Sequence, residues 1–188
     1  MAKGQNNHYT PDYVSPPGET LQELLDERQM TQAELARRMG RPDKTINEII
    51  QGKAGLTPQT ALQLEHVLGV PASFWNNREQ AYRAFLAKQA ENEQLQAHSD
   101  WINAFPLKDM VRRGWIKPWN DVVEQIRELL RYFGIASPQQ WQERWPQLQV
   151  AYRKAQAFKS EPYALSAWLR QGEILAQQIS CHPYVSAV

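Results

Sequence analysis

Residues 31–53 read TQAELARRMGRPDKTINEIIQGK, and the fold turns on this stretch. Thr31 has the chemistry of a helix N-cap. Glu34, three places on, makes a T-x-x-E capping box, a pattern that satisfies two orphaned backbone N–H groups. A helix is therefore predicted over Gln32–Met39, burying Leu35, Ala36 and Met39, with the small Ala36 where another helix must cross closely. Gly40 suits a left-handed turn position, and Pro42 suits the first position of the next helix, where a missing N–H costs nothing. Over Pro42–Gln51, a period of about 100° per residue puts Ile46, Ile49 and Ile50 on one face. Lys44, Asn47, Glu48 and Gln51 fall opposite, with Asp43 and Thr45 on the flanks; Gly52 ends the helix and Lys53 follows. Two short helices joined by a tight turn form the unit that can lay its second helix in the DNA major groove.

Outward from this pair the chain stays helical. Leu21, Leu24 and Leu25 give a helix from about Gly18 to Arg28 one apolar face, with Glu19 and Glu23 near its positive N-terminal end. Residues 1–17, with Pro11, Pro16 and Pro17 and Lys3 as the lone cation, read as a flexible or extended arm. Thr57-Pro58 starts a fourth helix to Leu68, stopped by Gly69, and a fifth begins near Ala72 and carries Phe74, Trp75, Tyr82, Phe85 and Leu86. Residues 87–100 thin to a solvated helical connector. Residues 101–188 form a tryptophan-rich helical region. There, Asp121–Phe133 has a strong helical period closed by Gly134, and Ser137-Pro138 starts a short helix carrying Trp141 and Trp145 that Pro146 ends. Ser160 fits as the cap of a last helix to about Ser180, with Leu165, Trp168, Leu169, Leu175 and Ile179 on one side. No useful length alternates with the period of a strand, so the fold class is all-α.

Composition narrows the function classes. A chain of 188 residues, 42% of them hydrophobic, can bury a real core, in one domain with an appendage or two small ones. The net charge of +1 means that any basic patch must be local. A single cysteine, Cys181, excludes a disulfide framework and a thiol zinc site, and fits a reducing, cytoplasmic setting. No stretch is long and apolar enough to span a bilayer, and the N-terminus lacks a hydrophobic signal region.

The groups able to meet DNA cluster around the turn. Lys44, Asn47 and Thr45 have the donors and acceptors to read bases, and Asp43 either accepts from cytosine or stabilises its helix N-terminus. Gln32, Arg37, Arg38, Arg41 and Lys53 are the expected phosphate contacts. The plain alternative is an ordinary solvated face. Other features read more simply. Cys181 beside His182 lacks partners for a zinc site, and His66, next to the Leu64/Leu68 face, reads as an ordinary interface or surface residue. The tryptophans fit a core better than a base-stacking platform. Lys108, Arg112 and Arg113 are either a second basic patch or cations favoured at a helix C-terminus. No catalytic residue, cofactor or metal is expected.

Residues 18–86 also resemble the XRE (Cro/C1-type) helix-turn-helix family, and within it the HigA-type antitoxins, through PGE, TQAELARRMGRP, TINEIIQGKAGLTPQTALQLEHVLGVPASFW and the aromatic helix that follows. The aliphatic Ile50, where the wider family often has glutamate, favours the HigA-like branch. The resemblance implies a five-helix lambda-repressor-like domain, a homodimer on a palindromic double-stranded operator, repression of its own operon, and neutralisation of a RelE/HigB-like toxin. In it Gln32 is the phosphate-contacting glutamine, and the recognition helix holds Asp43, Lys44, Thr45 and Asn47. The pieces DWINAFPLKDMVRRGWI, ELLRYFGIASPQQW and AFKSEPYALSAWLRQGEI are similar to the middle region of longer proteins that continue into an ImmA/IrrE-type metallopeptidase. Among His8, His66, His98 and His182 none makes that domain's H-E-x-x-H, so the chain reads as a short or truncated form without peptidase activity. The expectation is a non-enzymatic, cytoplasmic, sequence-specific repressor. Two alternatives stand beside it: a protein-interaction module holding a toxin, or the regulatory part of a metallopeptidase.

Overall fold

A computed structural model describes residues 13–144 and 161–180. The elements among them are all helices. The chain divides into two compact units, residues 1–90 and 91–188.

The first unit is built from α1 (Pro17–Glu27), α2 (Gln32–Met39), α3 (Asp43–Ile50), α4 (Pro58–Leu68) and the first part of α5 (Ala72–Gln96). Thr31 Oγ1 accepts from the Glu34 N–H at 3.1 Å, and Thr57 Oγ1 from the Thr60 N–H at 3.2 Å, so both capped helices start where the sequence says. Gly40 (φ 65°) and Gly69 (φ 67°) close α2 and α4 in the left-handed region. Leu21, Leu25, Leu35, Ala36, Ile46, Ala61, Leu64 and Trp75 are buried together. Each large apolar side chain among them contributes about 1.5–3 kcal/mol by leaving water.

Several local expectations change. The capping box is half formed: the Glu34 carboxylate does not reach back to Thr31 but pairs with Arg37 and Arg38. Two guanidiniums within one turn outcompete a single neutral N–H. Pro42 is the extended N-cap (ψ 142°), and α3 begins at Asp43. The arm is anchored at its end: Tyr13 OH donates to Glu19 at 3.2 Å, Arg78 donates to Ser15 Oγ at 2.5 Å, and Pro17 is already the buried first residue of α1. Helix α5 runs unbroken to Gln96, so most of the stretch expected as a helical connector is its direct continuation.

Gly18 shows why α1 starts with Pro-Gly-Glu. A Cβ there would lie 2.5 Å from the Ile50 carbonyl oxygen and 2.7 Å from Ile50 Cα, and against the Ile49 carbonyl as well. The start of α1 crosses the end of α3 at backbone contact, and only hydrogen fits between them.

The second unit holds α6 (Ser99–Asn103), α7 (Leu107–Arg112), α8 (Val122–Phe133), α9 (residues 138–144) and α10 (Pro162–Ala176). Asp121 caps α8 by accepting from the Glu124 N–H at 2.9 Å, and Gly134 (φ 65°) ends it. Trp101, Ile102, Phe105, Met110, Ile126, Leu129, Phe133, Trp141 and Ala167 form the core. Its aromatic rings meet mostly edge to face, while Trp141 and Tyr163 stack at 4.7 Å. Arg127, 11% exposed, reaches Glu91 (2.7 Å), Glu124 (2.5 Å) and the Asn92 side chain. Burial opposes its charge, but the carboxylate hydrogen bonds outweigh burial and raise its pKa.

The last helix packs differently from the sequence expectation. Helix α10 runs Pro162–Ala176, ends short of Ser180, and is preceded by Glu161 without a side-chain cap; Ser160 lies outside the described residues. Its most buried residues are the small Ser166 and Ala167, while Tyr163, Ile174 and, as expected, Leu169 pack against the core. Trp168 is 62% exposed, and Leu175 and Ile179 are exposed with it. Small residues let the helix approach α8 closely enough for Tyr132 OH to donate to the Ala167 carbonyl (2.6 Å) and Arg170 Nε to the Tyr132 carbonyl (2.8 Å). Nor are the tryptophans uniformly core: Trp101 and Trp141 are buried, Trp115 is half-buried, and Trp119 is 40% exposed. Trp145, Pro146, Cys181 and His182 lie outside the described residues.

Candidate nucleic-acid interface

The polar surface that the sequence points to is assembled by α2 and α3, with α1 behind them. Ile46 and Ile49 are buried, which fixes the rotation of α3 and turns Asp43, Lys44 and Asn47 to solvent. The Lys44 side chain is 85% exposed, and among the described residues its ammonium group pairs with Glu48 at 3.7 Å. A pair so exposed holds the amine weakly. Asn47 Nδ2 donates to Gln32 Oε1 at 3.3 Å, joining the middle of α3 to the first residue of α2. Gln32 Nε2 in turn donates to Gln22 Oε1 at 2.8 Å, and Gln22 Nε2 to Asp26 at 2.7 Å.

This amide relay has a chemical consequence. Asn47 uses one N–H on Gln32 and keeps a second N–H and its Oδ1, the donor and acceptor needed for a two-point contact with adenine. Gln32 sits at the start of α2, beside backbone N–H groups that favour an anion such as phosphate. Gln22 lies outside the set to which the sequence points; its spacing four before Asp26 on one helix face is the available signal.

The remaining candidates have other ties. Thr45 is half-buried on the flank of α3. Arg37 and Arg38 are exposed but both paired with Glu34. Arg41 is half-buried: its Nε donates to Gln63 Oε1 on α4 at 2.6 Å, and Gln63 Nε2 donates to the Met39 carbonyl at 3.4 Å. Arg41 therefore clamps the turn between α2 and α3 to α4. Lys53 is exposed just beyond α3. His66 is exposed on α4. Among the described residues no group of three His, Cys, Asp or Glu side chains is placed to hold a metal ion, and no helix is long and apolar enough to cross a membrane.

The family model described as Helix-turn-helix matches residues 21–75. The uncharacterized HTH-type transcriptional regulator YddM of Escherichia coli K12 is 38% identical over 66 residues, which span 35% of this chain and 70% of YddM. Among solved structures, Pseudomonas aeruginosa antitoxin HigA with the higBA promoter is 29% identical, over 45% of this chain and 94% of that one, with a TM-score of 0.42. An addiction module antidote protein of the HigA family from Coxiella burnetii is 28% identical, over 45% and 92% of the two chains, with a TM-score of 0.40.

Proposed function

Because this chain belongs to the helix-turn-helix family of transcriptional regulators, we propose that it is a sequence-specific repressor of the antitoxin type, acting on the promoter of its own operon. The observation that carries this reading is the Asn47–Gln32 hydrogen bond beside the open Lys44. It makes the outer face of α3 and the N-terminus of α2 one continuous polar surface. In this reading Lys44 and Asn47 reach base edges in the major groove, with Asp43 and Thr45 at the margins of the contact. Gln32, Arg37, Arg38 and Lys53 meet phosphates, while Arg41 also holds the turn in shape. A homodimer presents two copies of α3 to a palindromic operator, with half-sites about one helical turn apart.

The antitoxin part of the reading rests on the PGE and LTPQTALQLEHVLGVPASFW pieces flanking the helix pair. It entails a cytoplasmic protein that also holds a RelE/HigB-like toxin. In keeping with the domain expectations, residues 18–86 carry DNA binding, and residues 101–188 are available to a partner.

Selection of bound fragments from random double-stranded DNA tests the proposal. A recovered palindrome that also occurs in the protein's own promoter is the expected result. Recovery without sequence preference would overturn specific repression. For the toxin, co-purification with a small basic protein encoded alongside is expected, and a chain that purifies alone when both are expressed would remove the antitoxin role.

A further inference from the structure

The second unit contains a cavity of about 430 Å³ that the DNA-binding reading does not use. Its walls are apolar: Leu107, Val111, Ile116, Pro118 and Trp119. A volume of this size with mostly hydrophobic walls and a few polar groups is the usual make-up of a small-molecule site. The loop between α7 and α8 that carries three of these residues is held in place. The Lys117 backbone N–H donates to Glu128 Oε1 at 3.0 Å, and Gln125 Nε2 donates to the Trp119 carbonyl at 2.6 Å. Trp119 nevertheless keeps 40% of its surface exposed.

The polar groups at the rim select the ligand's charge. Glu128 is occupied by the Lys117 N–H and by Arg131 at 3.3 Å, and the Gln125 amide is committed to the loop. What remains is the ammonium groups of Lys108 and Lys117, both exposed lining residues that have no ion-pair partner among the described residues. Apolar walls with two uncommitted cations at the edge complement a molecule with an apolar body and one anionic end.

From this charge and shape complementarity we infer that the cavity between α7 and α8 binds a small aromatic carboxylate. Its ring lies against Trp119 and the aliphatic wall, and its carboxylate sits between Lys108 and Lys117. The inference is independent of the DNA-binding reading, because every residue in it belongs to the second unit.

Calorimetric titration of the full chain with 1-naphthylacetate and with its neutral amide, 1-naphthylacetamide, tests it. The acid should bind about fivefold or more tightly than the amide, the scale of one or two partly exposed charge contacts. The double variant Lys108→Gln, Lys117→Gln replaces two exposed side chains. It should erase that preference while leaving amide binding and the melting temperature unchanged. Equal affinity for acid and amide, or no binding of the acid at millimolar concentration, overturns the inference. So does loss of acid binding in Lys108→Gln, Lys117→Gln accompanied by equal loss of amide binding. An oligothymidylate that binds the native chain and displaces the acid from these lysines would also overturn it, since the basic rim would then serve a nucleic-acid backbone.

Discussion

Asn47 on α3 donates a hydrogen bond to the side chain of Gln32 at the start of α2, 3.3 Å away. The group expected to read a base is thus oriented by the group expected to touch the backbone. Gln32→Ala should therefore do more than weaken binding. A residue that only meets phosphate lowers affinity for every sequence alike. Gln32→Ala should also relax the preference at the base pair that Asn47 reads, by about 1 kcal/mol of the 1–3 kcal/mol that a good two-point contact supplies. Binding to operators substituted at single positions measures this. A uniform loss across all of them would show that the relay does not orient Asn47.

Glu34 holds both Arg37 and Arg38. Glu34→Gln keeps the backbone N–H that Thr31 caps but releases the two guanidiniums. Affinity for DNA of any sequence should rise, and the slope of log affinity against log salt should steepen by up to about 0.9 for each new phosphate contact. Arg38→Ala should do the reverse, weakening binding to all sequences. An unchanged slope in both variants would place these arginines away from the DNA.

Gly18 and Gly40 make a matched pair of tests. A methyl at Gly18 meets the backbone of Ile49 and Ile50, whereas one at Gly40 meets nothing within 4 Å and suffers only from φ 65°. Gly18→Ala should destabilise the first unit by about 3 kcal/mol through overpacking that backbone cannot relieve. Gly40→Ala should cost about 1 kcal/mol of left-handed strain. Urea unfolding of the two variants gives the comparison. Equal costs would mean that α1 and α3 can separate to admit a methyl.

Tyr132 links α8 to α10, and burial pushes its hydroxyl up to about 12 from the ordinary 10, with the Arg170 charge opposing. Its folded value is raised, so the folded state holds the proton more tightly than the unfolded state. The stabilisation is complete below pH 10 and is lost as pH climbs from 10 to 12. Tyr132→Phe should lower stability at pH 8 by about 1 kcal/mol, because the Ala167 carbonyl loses its 2.6 Å donor. The gap to the native chain should then narrow above pH 10, which thermal melts across that range can follow. A gap that stays constant to pH 12 would mean that the Tyr132 proton is not coupled to folding.

Local chemistry in the sequence was enough for much of the first unit. Thr31 and Thr57 act on N–H groups three residues away, Gly40 and Gly69 act through their own φ, and the leucine and isoleucine periods set which faces are buried. These are short-range effects, so α2, α3 and α4 and the outward face carrying Lys44 and Asn47 were legible. Tertiary structure alone decided the rest. Gly18 is required by the backbone of residues 49 and 50, Glu34 chose two arginines over a return cap, and Gln22, Gln32 and Asn47 meet from three helices. On α10 the apolar period pointed to Trp168 and Leu175, yet the helix buries Ser166 and Ala167, because close approach to Tyr132 favours small side chains over large ones. Helical period shows which residues share a face; which face turns inward depends on the partner helix, and that lies elsewhere in the chain.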